Sequence, residues 1–395
     1  MDRINLAFFK SLVQPRPAGS ENNIRVQELL GRTGTSLGYE AEELPFDCTF
    51  WEGEPSCLTC GDVCLTVWPS PFSPAAEGSA DLIFIETLSA LRHKCKEITG
   101  KIVVLHGAIA AEPLMPKEFP FYEVAEHREI AELLESSQPL AVLSATGRHP
   151  VAGLDPCPMF EDCNFDVPSA YFPSSQLEML HGSSHGQLVI NSHSVPSLGI
   201  QTVFHKKNGG RNSAGTVMFC AHMDTAYGTP GALDNASGLY VLMKLMERMA
   251  DHNCRYDLQF VPFNGEDHAD VPGQRAYFNR YPDQGRLRLV INIDGVGLCG
   301  SRDAVSLYGI STEWKAKIEQ VVEGSDAVVF GDPWYEGDHS MFTMQGVPAV
   351  AFVSSGLDGI TAVSHTEKDT LEQVDFQQLE CLVSAIYDMF CCLTA

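Results

Sequence analysis

Between Val217 and Ala221 an apolar run continues without interruption and stops at His222-Met223-Asp224. A Gly- and Pro-rich loop follows, then Ala232-Leu233-Asp234-Asn235, and a helical pattern that starts near Ser237. In that helix Leu239, Leu242, Met243, Leu245 and Met246 form a broad apolar face, with Lys244, Glu247 and Arg248 opposite. The same rhythm holds from about residue 196 onward, with strands expected over 258–263, 289–293, 305–308 and 349–353 and a last helix over 376–390. Strands alternating with helices imply a largely parallel sheet covered on both faces.

The first half of the chain has a different texture. Residues 1–46 read as an amphipathic helical entry in which Ser20 caps a helix carrying Ile24, Val26, Leu29 and Leu30, before a strand over 40–46. From about residue 50, Pro and Gly are dense and the expected strands are short: 64–68, 81–86, 101–106, 140–144 and 167–172, with helices over 122–135 and 174–180. The runs beginning at Asp81 and Gly100 read as two buried strands joined by a short connection. His181, His185 and His193 lie in a Ser/Gly-rich stretch and read as solvated turn residues. The spacing Cys57-x2-Cys60-x3-Cys64 could hold zinc or a disulfide, but no second pair matches it, so packing within short strands is preferred. The pattern thus predicts an α/β fold over residues 196–395, a mostly parallel mixed sheet sandwiched by helices, preceded by a helical entry over 1–49 and a β-rich α+β block over 50–195.

Length agrees with this division, since 395 residues suggest roughly two domains. A formal net charge of -25 excludes nucleic acid as a partner, because phosphate binding needs clustered Lys and Arg. No apolar run approaches the length of a membrane span, and the short patch Leu6 to Phe9 is not a signal peptide. The cysteines number 13, are scattered and often sit inside apolar runs, which suits free thiols in a reducing cytoplasm. Oligomeric state leaves no trace in the sequence.

The candidate chemistry gathers at strand ends: His222, Asp234, Glu266-Asp267, Asp294 and His365. Each alone reads as a turn, a cap or a surface loop residue. Together they point elsewhere, because parallel strands bring their carboxyl ends to one crevice. A pair of Zn2+ ions needs one bridging carboxylate and further ligands for each ion, leaving positions open for water and substrate. His222, Asp234, Asp267, Asp294 and His365 supply a set of that size and type. Asp224 is then placed to accept the free ring N–H of His222 and fix its tautomer. Glu266, beside a ligand, suits a general base acting on water.

These segments, His222-x-Asp224, Gly-Ala-x-Asp234-Asn-Ala-Ser-Gly, Gly-Glu266-Asp267, Asn-x-Asp294 and Ser-His365-Thr, resemble the zinc aminopeptidase family. That family also contains glutamate carboxypeptidase II and glutaminyl cyclases. Arg16-Pro-Ala-Gly-Ser20 is similar to its N-terminal segment, and residues 50–195 resemble a protease-associated domain through Gly100-Lys-Ile-Val-Val and Val167-Pro-Ser-Ala-Tyr. The resemblance implies that residues 1–49 and 196–395 form one phosphorylase/hydrolase-like catalytic fold with residues 50–195 inserted, and a dizinc exopeptidase acting on peptides with a free N-terminus. His222 and Asp294 would hold one zinc and Asp267 and His365 the other, with Asp234 bridging. The family commonly has Glu where Asp267 stands. Cobalt or manganese are alternative ions. Asp338-His339 matches a family segment near the substrate, and Tyr335 is the nearest candidate for the residue that stabilises the oxyanion. A carboxypeptidase or dipeptidase, a glutaminyl cyclase and a non-catalytic receptor-like relative are the rival readings. A carboxypeptidase would need a cationic anchor, for which Arg275, Arg280 and Arg302 are the candidates.

Overall fold

The apolar runs of the second half lie side by side in one sheet. In the computed structural model, residues 3–119, 124–150, 153–208 and 213–394 are described. In chain order, α1 (Leu6–Leu12) and α2 (Glu21–Ser36) precede β1 (Glu40–Cys60), β2 (Val63–Pro69), β3 (Ala76–Ile85) and α3 (Leu88–Lys94). Then come β4 (Ile102–Leu105), α4 (Ala125–Ser137), β5 (Ala141–Thr146), β6 (Ser169–Pro173) and β7 (His185–Lys206). The strand–helix alternation follows: β8 (Thr216–His222), α5 (Ser237–Met249), β9 (Asp257–Phe263), α6 (Pro272–Arg280), β10 (Leu287–Ile293) and β11 (Asp303–Tyr308). The chain closes with α7 (Thr312–Glu323), β12 (Val328–Phe330), α8 (His339–Thr343), β13 (Ala349–Ser354), α9 (Leu357–Ile360) and α10 (Phe376–Thr394). Two compact units result: residues 1–48 with 198–395, and residues 49–197.

In the first unit the sheet order is β7-β9-β8-β10-β13-β11-β12. The centre, β9-β8-β10-β13, is parallel, and β7 and β11 pair with it antiparallel. Register aligns the carboxyl ends: Cys220 lies beside Val261 and Asn292, and Asn292 lies beside Ala351. His222, the loop after Phe263 and Asp294 therefore emerge at one edge. Helices cover both faces, and β9 shows how. Phe260 stacks on Phe219, whose ring meets Phe390 of α10 edge-on, while Phe263 points the other way, onto Tyr277 of α6 and Phe342 of α8. A strand buried on both sides must be apolar at every position, which is why 217–221 reads as a continuous run rather than an alternation. The expected α/β class, a mixed sheet flanked by helices, is the observed one.

The second unit is built on β1-β2-β6-β5-β4-β3-β7, with β3-β4-β5-β6 parallel, and β1 and β7 also pair. All of β4 is buried because both sheet faces are covered. Val103 and Leu105 pack with Leu91, Ile130 and Leu134, whereas Ile102 and Val104 pack with Leu58, Val67 and Leu188. Three expectations change here. The strands at Asp81 and Gly100 are parallel neighbours joined through α3, since a parallel pair cannot be closed by a tight turn. His185 and His193 lie within β7 rather than in turns; pairing with β3 overrides the local Ser/Gly signal, and His185 sits 2.9 Å from Asp81. The helix expected from Tyr122 is α4, which starts at Ala125; Tyr122 itself lies outside the described residues. Cys57, Cys60 and Cys64 are free thiols on the β1–β2 hairpin, where strand alternation buries Cys60 and leaves Cys64 exposed.

Candidate metal centre

Five loops at the carboxyl edge of the first unit's sheet deliver the candidate residues. His222 ends β8, Asp234 lies in the turn before α5, Glu266 and Asp267 follow β9, Asp294 follows β10, and His365 follows α9. Asp234 is the hub. Its Oδ1 lies 3.0 Å from His222 Nε2, which is 3.4 Å from Asp294 Oδ1. Its Oδ2 lies 3.3 Å from His365 Nε2, which is 2.9 Å from Asp267 Oδ1. One carboxylate therefore faces two ligand pairs, one through each oxygen. Donor atoms of His222, Asp234 and Asp267 all fall within 4.8 Å of one another.

The electrostatics are those of an anionic nest. Burial opposes ionisation of Asp234, but hydrogen bonds from His222 and His365 outweigh it and hold its carboxyl below the usual range. Burial would likewise push both imidazoles down, yet the surrounding carboxylates raise His222 and His365 well above the ordinary histidine value. Asp267 and Asp294 are pushed up, first by burial. Glu266 is pushed well up by burial and by Asp267, Asp294 and Asp338. Like-charged oxygens this close need either protons or cations between them. Asp267 Oδ2 and His222 Nδ1 are buried without a hydrogen-bond partner among the described residues. Two imidazoles and three carboxylates are donors that divalent zinc accepts, so the residues fit such an ion.

Comparison with known proteins finds a peptidase family over the residues that carry this site. The model of peptidase family M28 matches residues 202–389. Those residues form an M28 peptidase domain. Carboxypeptidase Q of Xenopus laevis is 23% identical over 316 residues, covering 73% of this chain and 64% of that protein. A Caenorhabditis elegans protein named as an endoplasmic reticulum metallopeptidase is 28% identical over 104 residues, 26% of this chain and 11% of its own length. The chain thus spans less than two thirds of either relative. Among solved structures, an aminopeptidase from Aneurinibacillus sp. strain AM-1 superposes with a TM-score of 0.76 at 18% identity, covering 97% of this chain and 92% of that one. A zinc aminopeptidase from Bacillus subtilis gives 0.75 at 17%, covering 97% and 93%. At such identities the likeness is one of fold.

Sequence reasoning missed the contacts that hold these side chains in place. Asp224 lies 3.8 Å from His222 Nδ1, but its hydrogen bonds go to the backbone N–H groups of Gly265, Glu266 and Asp267, so it anchors the loop carrying the latter two. Asn235, joined to Asp234 by a cis peptide, donates to Ile293 O at 2.9 Å and accepts from Gly238 N–H. Gly238 has no alternative, as a Cβ there would meet Ile293 O and Asn235 Oδ1 at 2.3 Å. Arg16 is fully buried and donates to the carbonyls of Met223, Leu12, Gln14, Pro230 and Gly231. Burial pushes its guanidinium down to about 10 while Asp224, Asp369, Asp234 and Asp267 pull it back up. A motif Arg with no partner nearby in sequence was the only signal for it. Arg16→Met should lower stability by roughly 3–5 kcal/mol, since each buried carbonyl left without a donor costs about 1–3; a thermal midpoint within about a degree of the wild type would contradict this.

Of the residues expected near a substrate, Asp338 is buried, accepts from Gln274 at 2.9 Å, and is raised by burial to about 7. His339 Nε2 donates to Trp334 O, leaving Nδ1 for Asn292, and burial lowers it to about 4, so the ring is neutral. Tyr335 is 64% exposed and lies edge-on to Tyr308. Arg280 pairs with Glu42 at 2.6 Å and Arg275 with Asp270 at 3.6 Å. Arg302 is exposed. No helix among the described residues is long and apolar enough to cross a membrane.

Proposed function

We propose that the chain is a dizinc exopeptidase, and specifically an aminopeptidase. The observation that carries the reading is Asp234, whose oxygens each face a separate His/Asp pair. His222 and Asp294 would hold one ion, Asp267 and His365 the other, with Asp234 between them. Bound there, such cations act as Lewis acids on the scissile carbonyl and make water easier to deprotonate. The remaining work belongs to the chain. Glu266 takes a proton from the attacking water as the water oxygen bonds to the carbonyl carbon. It then passes that proton to the departing amine nitrogen as the C–N bond breaks. Glu266 is buried close to Asp267, Asp294 and Asp338 without being one of the five proposed ligands, which supports a carboxyl left to carry the proton. Asp224 holds the Glu266 loop and faces the far ring nitrogen of His222. Tyr335 is the candidate for stabilising the oxyanion, and Asp338 and His339 line the substrate's approach.

The excess of carboxylates favours a peptide with a free, protonated N-terminus. The name of the Xenopus relative raises a carboxypeptidase instead; that chemistry needs a cation for the substrate carboxylate, and with Arg275 and Arg280 paired to Asp270 and Glu42, Arg302 is the candidate left for it. A panel of aminoacyl-arylamides and peptides blocked at either end separates the two. Acetylation of the N-terminus should abolish cleavage and amidation of the C-terminus should spare it; the reverse pattern would establish the carboxypeptidase. Residues 49–197 we assign as a protease-associated-like insertion. Free thiols such as Cys57, Cys60 and Cys220 support a reducing compartment such as the cytoplasm.

A further inference from the structure

We propose that Asp369 is a positioning residue that couples the two metal positions, by tying the segment that carries His365 to the turn that carries Asp234. The inference rests on the dizinc reading above. Asp369 is fully buried. Its Oδ1 accepts the N–H of Leu233 at 2.7 Å, its Oδ2 accepts the N–H of Asp234 at 2.9 Å, and its own carbonyl accepts the N–H of Ala232 at 3.3 Å. Three consecutive donors of the turn therefore end on one residue. Four positions earlier in the chain stands His365, and the N–H of Asp369 returns to Thr366 O at 3.2 Å, closing the intervening loop. On the other side of the same turn Arg16 holds the carbonyls of Pro230 and Gly231. The peptide groups of 230–234 are thus held between a buried cation, which takes their carbonyls, and a buried anion, which takes their N–H groups. A carboxylate is the side chain that accepts two convergent N–H groups at once.

The two metal positions do not depend on this tie equally. His222 belongs to β8, and Asp294 donates its N–H to Phe352 O of β13, so both are fixed by the sheet. The other pair has no strand beneath it. Asp267 hangs from Asp224, and His365 has a left-handed backbone (φ 60°) with a side chain 35% exposed. Its distance to Asp234 is set by the loop that Asp369 closes. Loss of Asp369 should accordingly release the ion between Asp267 and His365 and spare the one between His222 and Asp294.

Zinc per chain, measured against buffered free zinc, tests this with the full chain. Wild type should hold two ions. Asp369→Ala should keep the tighter position within about threefold and weaken the other roughly 10- to 100-fold, the range seen when a residue orienting a ligand is removed. Asp369→Asn retains one acceptor and covers the case in which the alanine variant does not fold; its weakening should likewise fall on one position. kcat should drop with the second ion and recover at high free zinc, which a general loss of structure would not do. Equal weakening of both positions, or of neither, in a folded variant overturns the coupling. A wild-type chain that binds no zinc overturns the dizinc reading and this inference with it, whereas wild type at two ions with an unaltered variant overturns the inference alone.

Discussion

Glu266→Gln is expected to keep both zinc ions and to lose roughly 100- to 10,000-fold in kcat, the contribution of a positioned acid–base group. The amide is nearly isosteric, so the loop should not move: the backbone N–H of Glu266 donates to Asp224 Oδ1, and those of Gly265 and Asp267 go to the same carboxylate. Asp267 therefore keeps its place beside His365. What the substitution removes is the ability to carry a proton, in a carboxyl that burial and three neighbouring acids already push well above its ordinary value. KM should change little, since on the proposed mechanism the residue would act on water and the leaving nitrogen. A fully zinc-loaded Gln variant with more than about a tenth of wild-type turnover would exclude Glu266 as the base.

The second large effect concerns the hub. Asp234→Ala should lose both ions together, because each oxygen of this carboxylate serves one of the two pairs. Removal of both ions by a chelator should reproduce the inactivation in wild type and also lower its melting temperature. A ligand present at 1,000 times its Kd adds about 4 kcal/mol to the folded state, and that increment disappears with it. The variant should be insensitive to the chelator. It should also differ from Asp369→Ala, which is expected to release a single ion. Retention of two ions by folded Asp234→Ala protein, measured by metal analysis, would remove the bridge from the proposed centre.

Arg16 and Asp369 show why part of the centre was hidden. Arg16 stood inside a segment that resembles the family and Asp369 three positions beyond another, yet neither carried an interpretable spacing. Arg16 acts on carbonyls more than 200 positions away, at Met223, Pro230 and Gly231, and Asp369 acts on N–H groups at Leu233 and Asp234. Backbone groups are the same at every residue, so a side chain that binds them leaves no complementary residue to recognise. The His185–His193 stretch failed for a related reason. Its Ser and Gly residues favour turns locally, but partners from Ala76 to Asp81 on β3 hold its first part, His185 to Ile190, extended.

The amino-acid sequence by itself determined the alternation of buried strands and amphipathic helices, and with it the placement of His222, Asp267 and Asp294 at or just beyond strand ends, whereas Asp234 and His365 lie in the turn before α5 and in the segment after α9. Periodicity and residue chemistry are local properties, and a parallel sheet turns them into proximity by a general rule. Tertiary structure alone decided which oxygen of Asp234 meets which histidine, that Asp224 holds a backbone loop, and that Arg16 and Asp369 grip opposite sides of one turn. Those are matters of ångströms between segments far apart in the chain, and only the closed packing of the sheet with its helices sets them.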